Sequence, residues 1–243
     1  MSSIPKGTIK EYKFNSQALE EELELLVYLP ANFSPLTKHT VLIAQDGRDY
    51  FQLGRIGRVA DGLANDGDID NLIIVGIPYH DVHDRRSKYH PAGEKHSAYI
   101  RFLAHELVPF IDEEFPSYHM GLGRVLIGDS LGATVSLLTA LKYPNTFGKC
   151  ILQSPLVNEA VENAVKGFEH PQLLEIYHVV GKQETEVPTT DGGKANFIEP
   201  NRRISKLFEE KGFSYFYNEF EGNHTWKYWQ PDLKRALKYI FKN

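Results

Sequence analysis

Cysteine is the scarcest residue of consequence in this 243-residue sequence: there is one, Cys150. A single thiol excludes an intramolecular disulfide and any multi-thiolate metal site. Long apolar runs are missing too. Nothing approaches the roughly 18 consecutive apolar residues of a transmembrane helix, so no membrane partner is expected. The first residues, MSSIPKGTIKEYKF, lack the apolar core of a secretory signal, which points to a cytoplasmic protein. Nor is there an excess of cations: 27 Lys and Arg stand against 32 Asp and Glu, a net charge of −5. A mildly acidic chain repels phosphates, which argues against nucleic acid. Repeats, linkers and low-complexity tracts are also absent.

What is present is an ordinary globular mix, 42% hydrophobic and 24% charged. The length alone allows one or two domains. Two early segments, 8–14 and 22–28, read as an antiparallel entry pair of strands. Short apolar runs then alternate with helix-length amphipathic stretches. The runs cover 41–44, 72–77, 125–127, 150–152, 176–180 and 213–220, and their lack of polar alternation suits strands buried on both faces. Helices are expected over 98–114, 131–142, 200–210 and 231–241. Ser97 would cap the first, and Pro109 should kink or split it near Leu107. Pro200 and Pro231 each suit a first helical turn, and Gly212 suits the position just past a helix end. The expectation is an α/β fold with about eight strands in one mostly parallel sheet, in a single domain over 1–243.

The most informative five residues are Gly128-Asp129-Ser130-Leu131-Gly132, a G-x-S-x-G pattern. A β run precedes it and an amphipathic helix follows, the context in which a strained turn lifts a serine hydroxyl above the sheet edge. The N–H of Leu131, at the start of that helix, can hold a developing oxyanion. The plainer reading makes Ser130 an ordinary N-cap. The same letters spell the GDSL esterase signature, but that family carries its serine after the first strand and here four strands precede it. Gly121-x-Gly123 comes before a strand instead of after one, so it is no dinucleotide loop.

A serine needs a base, and in the order Ser…acid…His the histidine follows the last strand. That selects His224, in Glu221-Gly222-Asn223-His224, from ten histidines. The acid should leave the preceding strand. Glu184, three residues after Gly181, is the first choice, with Glu186 and Asp191 as rivals. The second oxyanion donor should lie in the loop Gln45-Asp46-Gly47-Arg48, where the Arg48 N–H is the candidate. Tyr79, Arg85, Arg86 and Tyr89 fall on the loop after the fourth strand, at an edge where ligands bind. Trp226 could wall a pocket, with Trp229 the better candidate for packing. His80-Asp-Val-His83-Asp84 and His105-Glu106 lack the spacing of metal sites, so no cofactor or metal is expected.

These motifs together resemble the esterase family that includes enterochelin (siderophore trilactone) esterases and esterase D-type enzymes. The resemblance runs from about Glu22 to Phe241. It is carried by Asp46-Gly47…Tyr50-Phe51, Arg85…Tyr89, Phe102-Leu103…Glu106-Leu107-Val108-Pro109, the Gly128–Gly132 elbow, Asn201-Arg202-Arg203, Tyr217-x-Glu219-Phe220-Glu221-Gly222 and His224-x-Trp226-x-x-Trp229. Members often have Gly-His-Asp-Trp where this chain has Asn223-His224-Thr225-Trp226, and a second glycine after the elbow where it has Ala133. The resemblance implies an α/β-hydrolase fold with almost no lid and a small-molecule ester as partner. A homodimer stays open. The implied reaction is serine-dependent hydrolysis of carboxylic esters, a siderophore lactone being one substrate class. A non-catalytic binding protein on the same fold is the alternative of another kind.

Overall fold

The strands follow the apolar runs closely, in a computed structural model that describes residues 4–190 and 192–242. They are β1 (Thr8–Ser16), β2 (Glu21–Leu29), β3 (Thr40–Gln45), β4 (Leu72–Ile77), β5 (Arg124–Asp129), β6 (Lys149–Gln153) and β7 (Glu175–Gly181). The two-residue strands β8 (Val187–Pro188) and β9 (Lys194–Ala195) form a separate ladder, and β10 (Ser214–Phe220) closes the main sheet. That sheet has eight strands in the order β1-β2-β4-β3-β5-β6-β7-β10. β1 and β2 pair antiparallel, β2 meets β4 antiparallel, and every later pairing is parallel. This is the expected α/β-hydrolase arrangement.

Nine α-helices lie around the sheet among the described residues: α1 (Gly47–Gln52), α2 (Ile56–Asn65), α3 (Val82–Tyr89), α4 (His96–Phe102), α5 (Val108–Glu114), α6 (Leu131–Lys142), α7 (Glu159–Gly167), α8 (Ile198–Lys211) and α9 (Trp226–Ile240). Successive strand residues feed opposite layers. Ile43 and Ile73 join the layer under α4 to α8, while Leu42 and Ile74 join the one under α2 and α9. Two-sided burial explains why these strands show no polar alternation.

Some boundaries differ from expectation, each for a local reason. The 98–114 segment begins at His96, with Lys95 and not Ser97 at the cap position. It is broken by a π-helical turn over Leu103–Leu107 ahead of Pro109. Proline supplies no N–H and crowds the carbonyl four residues back, so the ladder widens there. The last helix starts at Trp226 and contains Pro231 instead of opening on it. The stretch after β4, expected as loop, forms α3. Asp81 caps it, its carboxylate accepting from the N–H groups of His83 (2.8 Å) and Asp84 (2.9 Å).

α3 also ties the entry hairpin down. Lys88 is 2% exposed and pairs with Glu21 at the start of β2 and with Asp84 at 2.8 Å. Lys95 reaches the same Glu21 at 2.7 Å.

The order of strands fixes where a site can form. β3 has β4 on one side and β5 on the other, so the connections leaving its carboxyl end diverge and open a crevice there. The segments after β3 and β5 are the Asp46 turn and the Ser130 turn.

Candidate active site

Ser130 sits at the turn between β5 and α6 with φ 52° and ψ −123°, a conformation costing roughly 1–3 kcal/mol for a residue other than glycine. Its neighbours enforce it. A Cβ on Gly128 would lie 2.2 Å from the carbonyl carbon of Gly132, so the strand and helix meet only because Gly128 has no side chain. The Ser130 N–H donates to the Gln153 carbonyl at 2.9 Å, and the Leu156 N–H donates to the Ser130 carbonyl at 3.4 Å. Ser130 occupies the N-cap position of α6 but makes no side-chain cap hydrogen bond. The plainer N-cap reading therefore loses its physical basis. The first-turn N–H of Leu131 belongs to the donors that a helix cannot satisfy internally.

Glu184 follows Gly181 and is fully buried. Its Oε2 meets His224 Nδ1 at 2.7 Å. Its Oε1 accepts from the Ser154 hydroxyl and from the Gly181 N–H, both at 2.7 Å. Three donors leave this carboxylate no rotational freedom. Ser154, also at a positive φ of 50°, receives the Trp229 indole N–H at 3.1 Å. The His224 ring lies 4.5 Å from the Phe197 centroid and is met edge-on by Trp229 at 4.8 Å. The elbow and the Glu184–His224 pair share one framework, since Gln153 holds the Ser130 N–H and Ser154 holds Glu184.

Of the competing acids, Glu184 and Glu186 lie in different surroundings. Glu186 is exposed and pairs with Lys194 at 2.8 Å. Asp191 lies outside the described residues. Arg48 is the second residue of α1, where backbone N–H groups have no intrahelical partner, and its side chain turns away to Glu24 at 2.7 Å. Gly47 is indispensable there, because a Cβ would sit 2.3 Å from the Gly76 carbonyl carbon.

Two expected substrate contacts are relocated. Tyr89 is 1% exposed, and its hydroxyl accepts the Asp46 N–H at 3.2 Å, so it supports the turn from within the core. Arg85 grips the Asp46 carboxylate through Nε (2.8 Å) and Nη2 (2.5 Å), and Nη2 also reaches the Asp129 carbonyl at 3.3 Å. The sequence suggests a loop here; α3 instead turns both side chains inward. Tyr79 stays half-buried, donating to Asp49 at 3.3 Å. Trp226 stands edge-on to Tyr50 and to Trp229.

Ser154 and Phe197 are neighbours of the His224–Glu184 pair that the sequence does not announce, while Trp229, expected to pack, packs against His224 itself. Only Ser154 had a signal, standing directly after β6 at the same sheet edge. Phe197, which packs on the His224 ring, also lines a cleft of about 400 Å³ between Leu156–Asn158 and Lys194–Phe197.

Asp129, the variable residue of the elbow, is buried, and burial with the nearby Asp46 charge pushes its carboxyl up to about 8.

The chain is 57% identical to YjcH of Bacillus subtilis over 232 residues, covering 96% of this chain and 97% of that protein. It is 20% identical to an acetyl esterase of Caldicellulosiruptor saccharolyticus over 261 residues, 96% and 98% of the two chains. Its fold superimposes on the Shigella flexneri enterobactin esterase with a TM-score of 0.83 at 18% identity, covering 97% of this chain and 59% of that one. A family model described as "Putative esterase" matches residues 16–240, so the chain belongs to that esterase family.

Proposed function

We propose that this chain is a cytoplasmic serine esterase in which Ser130, His224 and Glu184 form the catalytic triad acting on small-molecule carboxylic esters. The observation that carries this reading is the 2.7 Å contact between Glu184 Oε2 and His224 Nδ1, with the second carboxylate oxygen pinned by Ser154 and Gly181. A carboxylate on Nδ1 selects the tautomer with the proton there and leaves Nε2 free to accept one.

His224 takes the Ser130 proton as the hydroxyl oxygen attacks the ester carbonyl. The carbonyl π electrons move onto oxygen, and that oxyanion is held by the Leu131 N–H and, in this reading, by the Arg48 N–H. Collapse expels the alcohol, which takes the proton from His224. Water then repeats the sequence on the acyl-enzyme and regenerates Ser130. In this reading Tyr79 and Trp226, packed on Asp49 and Tyr50 of α1, are candidate substrate contacts, and the cleft lined by Phe197 takes one side of the ester.

The decisive experiment pairs an ester panel with fluorophosphonate labelling. Wild type should label once and hydrolyse short p-nitrophenyl esters. Ser130→Ala should fold normally, fail to label and lose roughly 10⁴–10⁶ in kcat. Full activity in that variant would overturn the reading, and a folded wild type that never labels would favour a binding protein. The fold likeness to enterobactin esterase makes a catecholate trilactone a second arm of the panel.

A further inference from the structure

The elbow carries a carboxyl group that the triad does not use. Asp129 ends β5 with its side chain buried, and its Oδ1 has no hydrogen-bond partner among the described residues. The groups around it explain why. From the β3–α1 segment come Asp46, Asp49 and the Tyr50 phenol, and from α3 comes Arg85. Tyr50 already donates to Gln153 Oε1 at 3.0 Å, and the Gln153 amide already donates to the Trp229 carbonyl at 3.0 Å. Arg85 spends Nε and Nη2 on Asp46. Three carboxyl groups thus surround one guanidinium. A buried carboxylate with one oxygen unpartnered is costly, and the neutral acid is the form this pocket favours.

Location makes the proton matter. A Cβ on Gly132 would lie 3.1 Å from Asp46 Oδ2, so the Asp46 carboxylate is set against the first turn of α6, where the oxyanion is held. Arg85 neutralises that carboxylate. If Asp129 ionises, the guanidinium that already faces Asp46 and Asp49 must serve a third anion, and uncompensated negative charge stands beside the developing oxyanion.

We propose that Asp129 is a positioning residue whose protonated carboxyl keeps Arg85 committed to Asp46, and that its ionisation slows acylation of Ser130. The proposal rests on the Ser130 esterase reading. It adds an alkaline limit to a reaction whose histidine base would otherwise give a plateau at high pH.

The test compares pH profiles of kcat/KM and of fluorophosphonate labelling rate, each normalised to its own maximum, in wild type, Asp129→Asn and Asp129→Glu. Wild type should lose about tenfold on an alkaline limb centred near pH 8, in both measurements. Asp129→Asn should replace that limb by a plateau, and Asp129→Glu should retain one. Urea denaturation across the same range shows separately whether Asp129 titrates. A wild type with no alkaline limb, or an Asp129→Asn profile that keeps it, overturns the proposal. So does an Asp129→Asn variant that flattens stability against pH while the rate profile stands. Ser130→Ala as a parallel control keeps the two readings apart: activity there would sink the triad and the proposal with it, whereas an inactive Ser130→Ala beside an Asp129→Asn profile that keeps the alkaline limb would sink the proposal alone.

Discussion

A carboxylate held by three donors is the residue-scale feature that distinguishes Glu184 from the exposed Glu186. Replacing it by glutamine removes the charge that stabilises the imidazolium and puts an amide against donors that need an acceptor. Glu184→Gln should cost roughly 10²–10⁴ in kcat with little change in KM, whereas the exposed Glu186→Gln should stay within about twofold. Steady-state kinetics on one p-nitrophenyl ester decide, and the reverse order would move the acid. Ser154 belongs to the same argument. It carries no chemistry in the proposed reaction, yet it joins the Trp229 indole to Glu184 and so fixes the histidine's partner.

At the scale of elements, much was legible because the chemistry is local. The Leu72–Ile77 strand and the Leu131–Lys142 helix match their expected limits, since a run of buried β-branched residues and a capped amphipathic stretch each carry their own signal. Pro109 announced a break without saying that it would take the form of a π-helical turn. The turn at Ser130 and the meeting of His224 with Glu184 follow from the order of these residues relative to strands. Arg85 and Tyr89 were misplaced because α3 is short and polar, with an apolar periodicity too weak to read. Phe197 and Trp229 meet His224 only through tertiary packing between α8, α9 and the loop, which no spacing encodes. Helix ends offer a clean check. Gly212 closes α8 at φ 76°, a left-handed position that penalises a side chain, and a Cβ there would touch nothing. Gly212→Ala should lower stability by about 1 kcal/mol in urea denaturation and leave kcat unchanged.

Across the whole molecule, two buried groups set opposite slopes of stability with pH. His178 is fully buried between Asn201 (2.7 Å) and Tyr215 (2.6 Å), and burial pulls its imidazole down to about 4. Between its ordinary 6.5 and 4 the unfolded chain binds the proton and the folded one does not, so stability falls as pH drops through that window. Asp129 works the other way. Its unfolded carboxyl ionises near 3.8 and its folded one near 8, so the folded state binds the extra proton and stability is lost as pH rises between them. Urea melts from pH 4 to 8.5 should show Asp129→Asn removing the loss of stability between about 6.5 and 8, and exposing between 6.5 and 4 the His178 fall that Asp129 offsets in wild type. No helix among the described residues is long and apolar enough to cross a membrane.

Lys88 has a consequence for anyone recombining this chain with its relatives. The cation sits in the interior on α3, while one of its two counter-ions comes from the first residue of β2. The next residue along α3, Tyr89, and Arg85 one turn back carry the Asp46 turn. A crossover point placed between β2 and α3 that imports a hairpin without an acid at position 21 would strand charge under the catalytic edge. Chimeras must inherit Glu21 and Lys88 as a unit, whichever parent supplies the serine.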